Sequence, residues 1–277
     1  MTYAIVMVSL ALDQPNDARL EVAGQIAERF DASLVGIAAS QFSPPLYFTS
    51  GALAQKLIDE GRASITKRIG ELEVQFREAV KNRSPQVDWR CAVDFPTRYI
   101  LREARCADLI VSGAEKGPFS DALAQASPKD LVMQAGRPLF IVPDTVNWLD
   151  LRSVLVAWKD TTEARRAIAD ALPMLRKAKN VTVAEMLEED GTGPAASARV
   201  QDVVAWLSRH GVYASELVAE KDEDLDATAQ LDGIAADVGA GVIVAGAYGH
   251  SRFREMMLGG MTQHLITQSD RCVLLSR

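Results

Sequence analysis

The sequence predicts an α/β protein made of two tandem doubly wound parallel-sheet domains. Three observations predict it. Short, β-branched apolar runs alternate with amphipathic helical stretches along the whole chain. The same order of runs starts again after residue 152. The chain has 277 residues, 48% of them apolar, which suffices for two cores at roughly 100–200 residues per domain. Strand–helix alternation of this kind describes a Rossmann-like or flavodoxin-like unit, here duplicated.

The elements follow in order. Residues 4–10 (AIVMVSL) form a buried strand, and Pro15-Asn16-Asp17 opens a helix with Leu20, Ala23, Ile26 and Ala27 on one face. Residues 33–39 (SLVGIAA) are the next strand, and 41–51, with Pro44-Pro45, a loop. A long helix runs from 52 to about 81, with Leu53, Leu57, Ile65, Ile69, Leu72 and Phe76 at helical spacing. Residues 87–93 alternate like a strand, 99–106 are a short helix and 107–114 (ADLIVSGA) a buried strand. A helix starts at Pro128-Lys129-Asp130, and 137–142 (RPLFIV) is the closing strand.

The second copy repeats this plan. Residues 153–159 (SVLVAWK) echo 4–10, the helix 162–172 echoes the one before it, and 180–186 (NVTVAEM) corresponds to 33–39. A shorter helix, 195–211, and a strand, 213–221, come next. ADLIVSGAEKG (107–117) aligns with AGVIVAGAYGH (240–250) at an offset of 240 − 107 = 133. LVMQAGRPLFIVP (131–143) aligns with LITQSDRCVLLSR (265–277) at 265 − 131 = 134. The expected domains are 1–146 and 151–277.

The best functional signal is GVIVAGAYGHSRFREMMLGGMT, residues 241–262. An apolar strand runs straight into Gly246 and Gly249; after nine intervening residues come Gly259 and Gly260, then a helix start in which Thr262 is an N-cap or first-turn residue. Glycines serve where backbone turns with φ > 0 or lies close to a ligand, and amides ahead of a helix N-terminus suit an anion. The alternative is a loop whose glycines serve only the turn. Neither the P-loop nor the GxGxxG fingerprint occurs.

The spacing resembles G-x2-G-x9-G-[ST], the nucleotide loop of the universal stress protein family. Gly246, Gly249 and Gly259 match it, whereas Gly260 stands where ATP-binding members carry Ser or Thr. VLVAWKDTTEARRAIADAL, at the start of the second half, is similar to the family's first strand, loop and helix. The chain is thus identified as similar to a tandem member of that family. The resemblance implies an adenine nucleotide, such as ATP, held by the second half. Lys159 occupies the place of a family Asp that contacts the nucleoside, with Asp160 one residue late; Met186 would offer a backbone contact. The phosphates would lie over Gly246, Gly249, Gly259, Gly260 and Met261, with Thr262 supplying a replacement hydroxyl. Arg252 and Arg254 add positive charge to the loop, as solvated loops commonly do.

The first half departs further. Three residues separate Gly113 from Gly117 where the motif has two, Ala126-Ser127-Pro128 replaces the later glycine pair, and Pro128 lacks an N–H. This copy is expected to bind no nucleotide in that way. The resemblance also implies that the two last strands, 137–142 and 271–276, pair as an intrachain pseudo-dimer, covering two apolar edges. A further homodimer stays open.

Other classes are excluded or unsupported. A net charge of −7 without a basic stripe argues against a nucleic-acid groove. No apolar run approaches the roughly 20 residues of a membrane span, and the N-terminus reads as a strand and not a signal peptide. Cys91, Cys106 and Cys272 read as buried thiols of a reduced compartment, so the cytoplasm is expected. His210, His250 and His264 lack metal-ligand spacing, and Ser251 lacks a nucleophile elbow. No metal site and no catalytic constellation are expected. The reading is therefore a stress-response binding protein, with a nucleotide-free interaction or dimerisation module as the alternative and slow ATP hydrolysis third.

Overall fold

A computed structural model of the chain describes residues 2–43, 51–115, 121–187, 192–222, 224–247, 260–268 and 270–277. The first half contains β1 (Ile5–Leu10), α1 (Asp17–Phe30), β2 (Ser33–Ala39), α2 (Gly51–Ala79), β3 (Val87–Ala92), α3 (Pro96–Glu103), β4 (Leu109–Gly113), α4 (Pro128–Gln134) and β5 (Leu139–Val142). A single 3₁₀ turn, Ala104–Cys106, extends α3. The second half contains β6 (Ser153–Trp158), α5 (Thr162–Leu175), β7 (Asn180–Met186), α6 (Gly193–Arg209), β8 (Ala214–Ala219), α7 (Ala227–Asp237), β9 (Val242–Gly246), α8 (Gly260–Thr267) and β10 (Cys272–Ser276).

All ten strands form one sheet in the order β3-β2-β1-β4-β5-β10-β9-β6-β7-β8. Within each half every pairing is parallel, as doubly wound crossovers require. The halves meet through β5 and β10, which run antiparallel with Ile141 opposite Val273, Phe140 opposite Leu274 and Leu139 opposite Leu275. This is the expected pseudo-dimer: each half covers the apolar edge of the other, leaving β3 and β8 as the outer strands. Further bonds cross the join. The Tyr3 hydroxyl donates to the Asp170 carbonyl at 2.8 Å, and the Glu115 amide to the Ile266 carbonyl at 3.0 Å.

Two apolar clusters exist, but they are divided by sheet face and not by domain. Alternating residues of each strand point to opposite faces. Phe140 and Leu274 join a cluster with α1, α2, α5 and α6, while Leu139, Ile141, Val273 and Leu275 join one with α3, α4, α7 and α8. Each cluster contains residues of both halves, so the core is continuous across the join. Residues 143–152 are packed rather than loose. Leu149 and Leu151 are buried, and the Gln25 carboxamide on α1 accepts from the Leu149 amide at 2.7 Å and donates to the Asn147 carbonyl at 3.1 Å.

Two local expectations need correction, and one helix is added. The face of α2 buries only Ile69 and Phe76; Leu53 is exposed and Leu57 and Ile65 are half-buried. Helix α2 has 29 residues against 17 in its counterpart α6, and both of its buried residues lie in its second half. Helix α7 is an element the sequence reading did not include, and it is capped by Asp226, whose Oδ1 accepts from the Thr228 and Ala229 amides at 2.9 and 2.8 Å. Finally, only Cys272 is a buried thiol; Cys106 is half-buried and Cys91 is exposed, because β3 lies at the outer edge of the sheet. Burial pushes the Cys272 thiol up to about 12. In the folded protein a thiol reagent is therefore expected to label Cys91 first and Cys272 only after denaturation, read by mass of the labelled peptides. Labelling of Cys272 at the rate of Cys91 would contradict this packing.

Candidate functional site

In a doubly wound sheet, ligands bind outside the carboxyl ends of the strands where the strand order reverses. In the second half that point lies between β6 and β9, with β7 beside β6. The chain enters the region at Lys159, the residue after β6, which is half-buried. Its carbonyl accepts from the Thr161 amide at 2.7 Å, closing a tight turn. Thr161 then caps α5, its hydroxyl accepting from the Ala164 amide at 3.2 Å. Asp160 is exposed and paired with Arg165 of the same helix, so it is engaged away from the Lys159 position. Met186 ends β7 and Gly246 ends β9, each at its strand's carboxyl terminus. Gly260, Met261 and Thr262 form the first turn of α8, the crossover helix that follows β9.

Lys159, Met186 and Gly246 thus share one edge of the sheet, the edge at which α5 and α8 begin. Gly249 and Gly259 lie outside the described residues, as do His250, Ser251, Arg252 and Arg254. Thr262 sits inside the first turn of α8, not at its cap, and is buried.

The reason for glycine differs between the two described loop positions. A Cβ on Gly246 would stand 2.4 Å from the Ala164 nitrogen, 2.7 Å from the Glu163 carbonyl carbon and 2.9 Å from Ala164 Cα. These are backbone atoms at the start of α5, so Gly246 is required by contact between β9 and the chain's own helix. Among the described residues a Cβ on Gly260 would meet nothing within 4 Å, so a small side chain fits against them.

Among the described residues two further side-chain pairings lie near this edge. Glu185, buried in β7, accepts from Arg199 Nε of α6 at 3.0 Å. On α8, His264 Nε2 lies 2.9 Å from Asp232 Oδ2 of α7. Among the described residues no group of three His, Cys, Asp or Glu side chains is placed to hold a metal, and no helix is long and apolar enough to cross a membrane. What the edge offers chemically is main-chain amides at two helix N-termini, where the helix dipole favours an anion.

No family model matches the chain, and no curated protein does. Solved structures do match over its full length. A universal stress protein from Archaeoglobus fulgidus DSM 4304 is 15% identical, with 99% of this chain and 96% of that chain covered at a TM-score of 0.75. A functionally unknown protein from Pseudomonas aeruginosa PAO1 is 16% identical, with 99% and 92% covered at a TM-score of 0.61. With its two halves joined in one sheet, the chain has the fold of a universal stress protein of tandem size.

Proposed function

We propose that this chain is a tandem universal stress protein that acts by binding, and that its second half holds an adenine nucleotide. The observation that carries this reading is the meeting of Lys159, Met186, Gly246 and the first turn of α8 at the switch-point edge. The residues suit such a ligand. Gly260 leaves its backbone uncovered at a helix start, the dipole of α8 favours phosphate oxygens, and Lys159 supplies a cation beside them. The main chain at Met186 would face the base, as the family resemblance implies. We assign these residues holding and orienting roles and no bond-breaking step.

The test is nucleotide content. Protein purified without added ligand, then denatured, is expected to release ATP or a related adenine nucleotide detectable by mass spectrometry. Protein that neither carries nucleotide nor takes up added ATP in equilibrium dialysis would contradict the reading. One substitution refines it. Gly260→Ser restores a hydroxyl at an open position and is expected to tighten ATP binding roughly twofold to tenfold, the worth of one hydrogen bond. Unchanged affinity in the folded variant would remove the hydroxyl from the account.

A second reading has its own support. The Asp160–Arg165 pair and the packing role of Gly246 both serve the fold, so part of the motif persists without a ligand. On that reading the chain is an interaction or dimerisation module, and the nucleotide measurements above come out negative.

A further inference from the structure

The first half has its own switch point, between β1 and β4, with β2 beside β1. The groups that would face a ligand there are already engaged. After β1, the Leu12 amide donates to the Ala124 carbonyl at 3.2 Å. After β2, the Gln41 amide donates to the Leu123 carbonyl at 2.9 Å, and the Ser40 hydroxyl donates to the same oxygen at 2.8 Å. One short segment, residues 121–126, therefore satisfies donors at the carboxyl ends of two neighbouring strands.

That segment is internally built and anchored. Asp121 Oδ1 accepts from the Leu123 amide at 2.8 Å, and the Asp121 carbonyl accepts from the Ala124 and Gln125 amides, both at 3.0 Å. Ala124 and Ala126 are buried. Immediately after it, the Ser127 amide donates to Thr97 Oγ1 of α3 at 3.0 Å, and the Ser127 hydroxyl caps α4.

A side chain fills the strand ends at the same switch point. Arg19, the third residue of α1, is 4% exposed and donates from Nη1 to the Ser9 carbonyl at 3.2 Å. A Cβ on Gly113, at the end of β4, would stand 2.2 Å from Arg19 Nη2 and 2.7 Å from its Cζ. Burial draws this guanidinium down to about 10, opposed by Asp144 and Asp13, so it stays charged and its charge is countered from within the chain. In the second half the third residue of α5 is Ala164, whose backbone touches Gly246 directly. The loops before the two helices differ as well. Six residues separate β1 from α1, whereas three separate β6 from α5.

We propose that the first half closes its own ligand crevice, with residues 121–126 and the Arg19 side chain in the place a ligand would take. The closure restricts binding to the second half, and in that respect it rests on the function proposed above. It also explains why the first copy can lose its glycine spacing and still keep the strand ends satisfied.

The experiment is hydrogen exchange on the full chain at single-amide resolution, with and without saturating ATP. The Leu12 and Gln41 amides are expected to exchange about 100-fold slower than open-loop amides without nucleotide, and to change less than about twofold on adding it. Either amide exchanging at the open-loop rate, or gaining about tenfold protection from ATP, would overturn the closure. If ATP protects no second-half amide while Leu12 and Gln41 stay slow, the closure is supported and the nucleotide reading fails. Arg19→Ala is expected to speed both amides about tenfold while leaving those of β9 unchanged. Unaltered exchange in the folded variant would remove Arg19 from the closure, and the measurement on the unaltered protein decides the matter for residues 121–126.

Discussion

Gly246→Val is expected to unfold or loosen the second half, not merely empty its site. The new Cβ alone would stand 2.4 Å from the Ala164 nitrogen, and the helix backbone there cannot swing aside as a side chain would. Forcing atoms into a packed contact of this kind costs about 3 kcal/mol or more. In a unit of this size that lowers Tm by roughly 6–12 °C. Gly246→Ala shares the clash and should show most of the loss. Gly260→Ala is the control, since its Cβ would meet nothing within 4 Å among the described residues, and it should stay within about 0.5 kcal/mol of the unaltered protein. Thermal and denaturant melts of the three variants measure this. A Gly246→Val melt indistinguishable from the unaltered protein would show that β9 does not press on α5. The consequence for function is direct: lost nucleotide binding in Gly246→Val does not by itself report on a phosphate cradle.

The second large effect is expected at the join of the two halves. Leu139 on β5 and Leu275 on β10 face each other across the antiparallel pair, and both are fully buried. An aspartate at either position would place a carboxylate among apolar side chains with no partner. The cost is several kcal/mol per position, whether met by burying the charge or by holding the group protonated. With both replaced, Leu139→Asp and Leu275→Asp, the two halves are expected to part along β5 and β10 and expose two strand edges, which then favour aggregation. Small-angle scattering measures the separation. The unaltered protein should scatter as one body with a radius of gyration of roughly 20 Å, and the double variant as a larger or associated particle. An unaltered protein scattering as two freely moving domains, or a double variant identical to it, would contradict the single sheet.

Much of this arrangement was legible in the sequence. The repeated strand–helix order and the 133-residue offset between the β4 and β9 segments carried the duplication. The join followed from the family resemblance, and the apolar runs LFIV and CVLL fit it as edges that need cover. Position in the sheet was less accessible. Cys91 sits in an alternating apolar pattern and reads as buried, but only the strand order places β3 at the outer edge. The stripe on α2 likewise reads as a full core face, whereas only Ile69 and Phe76 of it are buried.

The candidate site divides in the same way. Its location at strand ends followed from spacing, because glycines after a buried strand mark a βα loop. The reasons for individual residues did not. Gly246 answers to the backbone of α5, and Asp160 to Arg165 one turn into that helix. The first-half crevice was hardest to read. Leu12 and Gln41 meet Ala124 and Leu123 through main-chain atoms, which leave no residue-type signature, and Arg19 looks like an ordinary polar residue in an amphipathic helix.

The central claim, that the tandem chain holds an adenine nucleotide through one half only, is tested most directly by calorimetric titration of nucleotide-free protein with ATP. The account predicts saturable binding at a single equivalent per chain. Two equivalents per chain would contradict the closed first half, and no binding at all would contradict the nucleotide site.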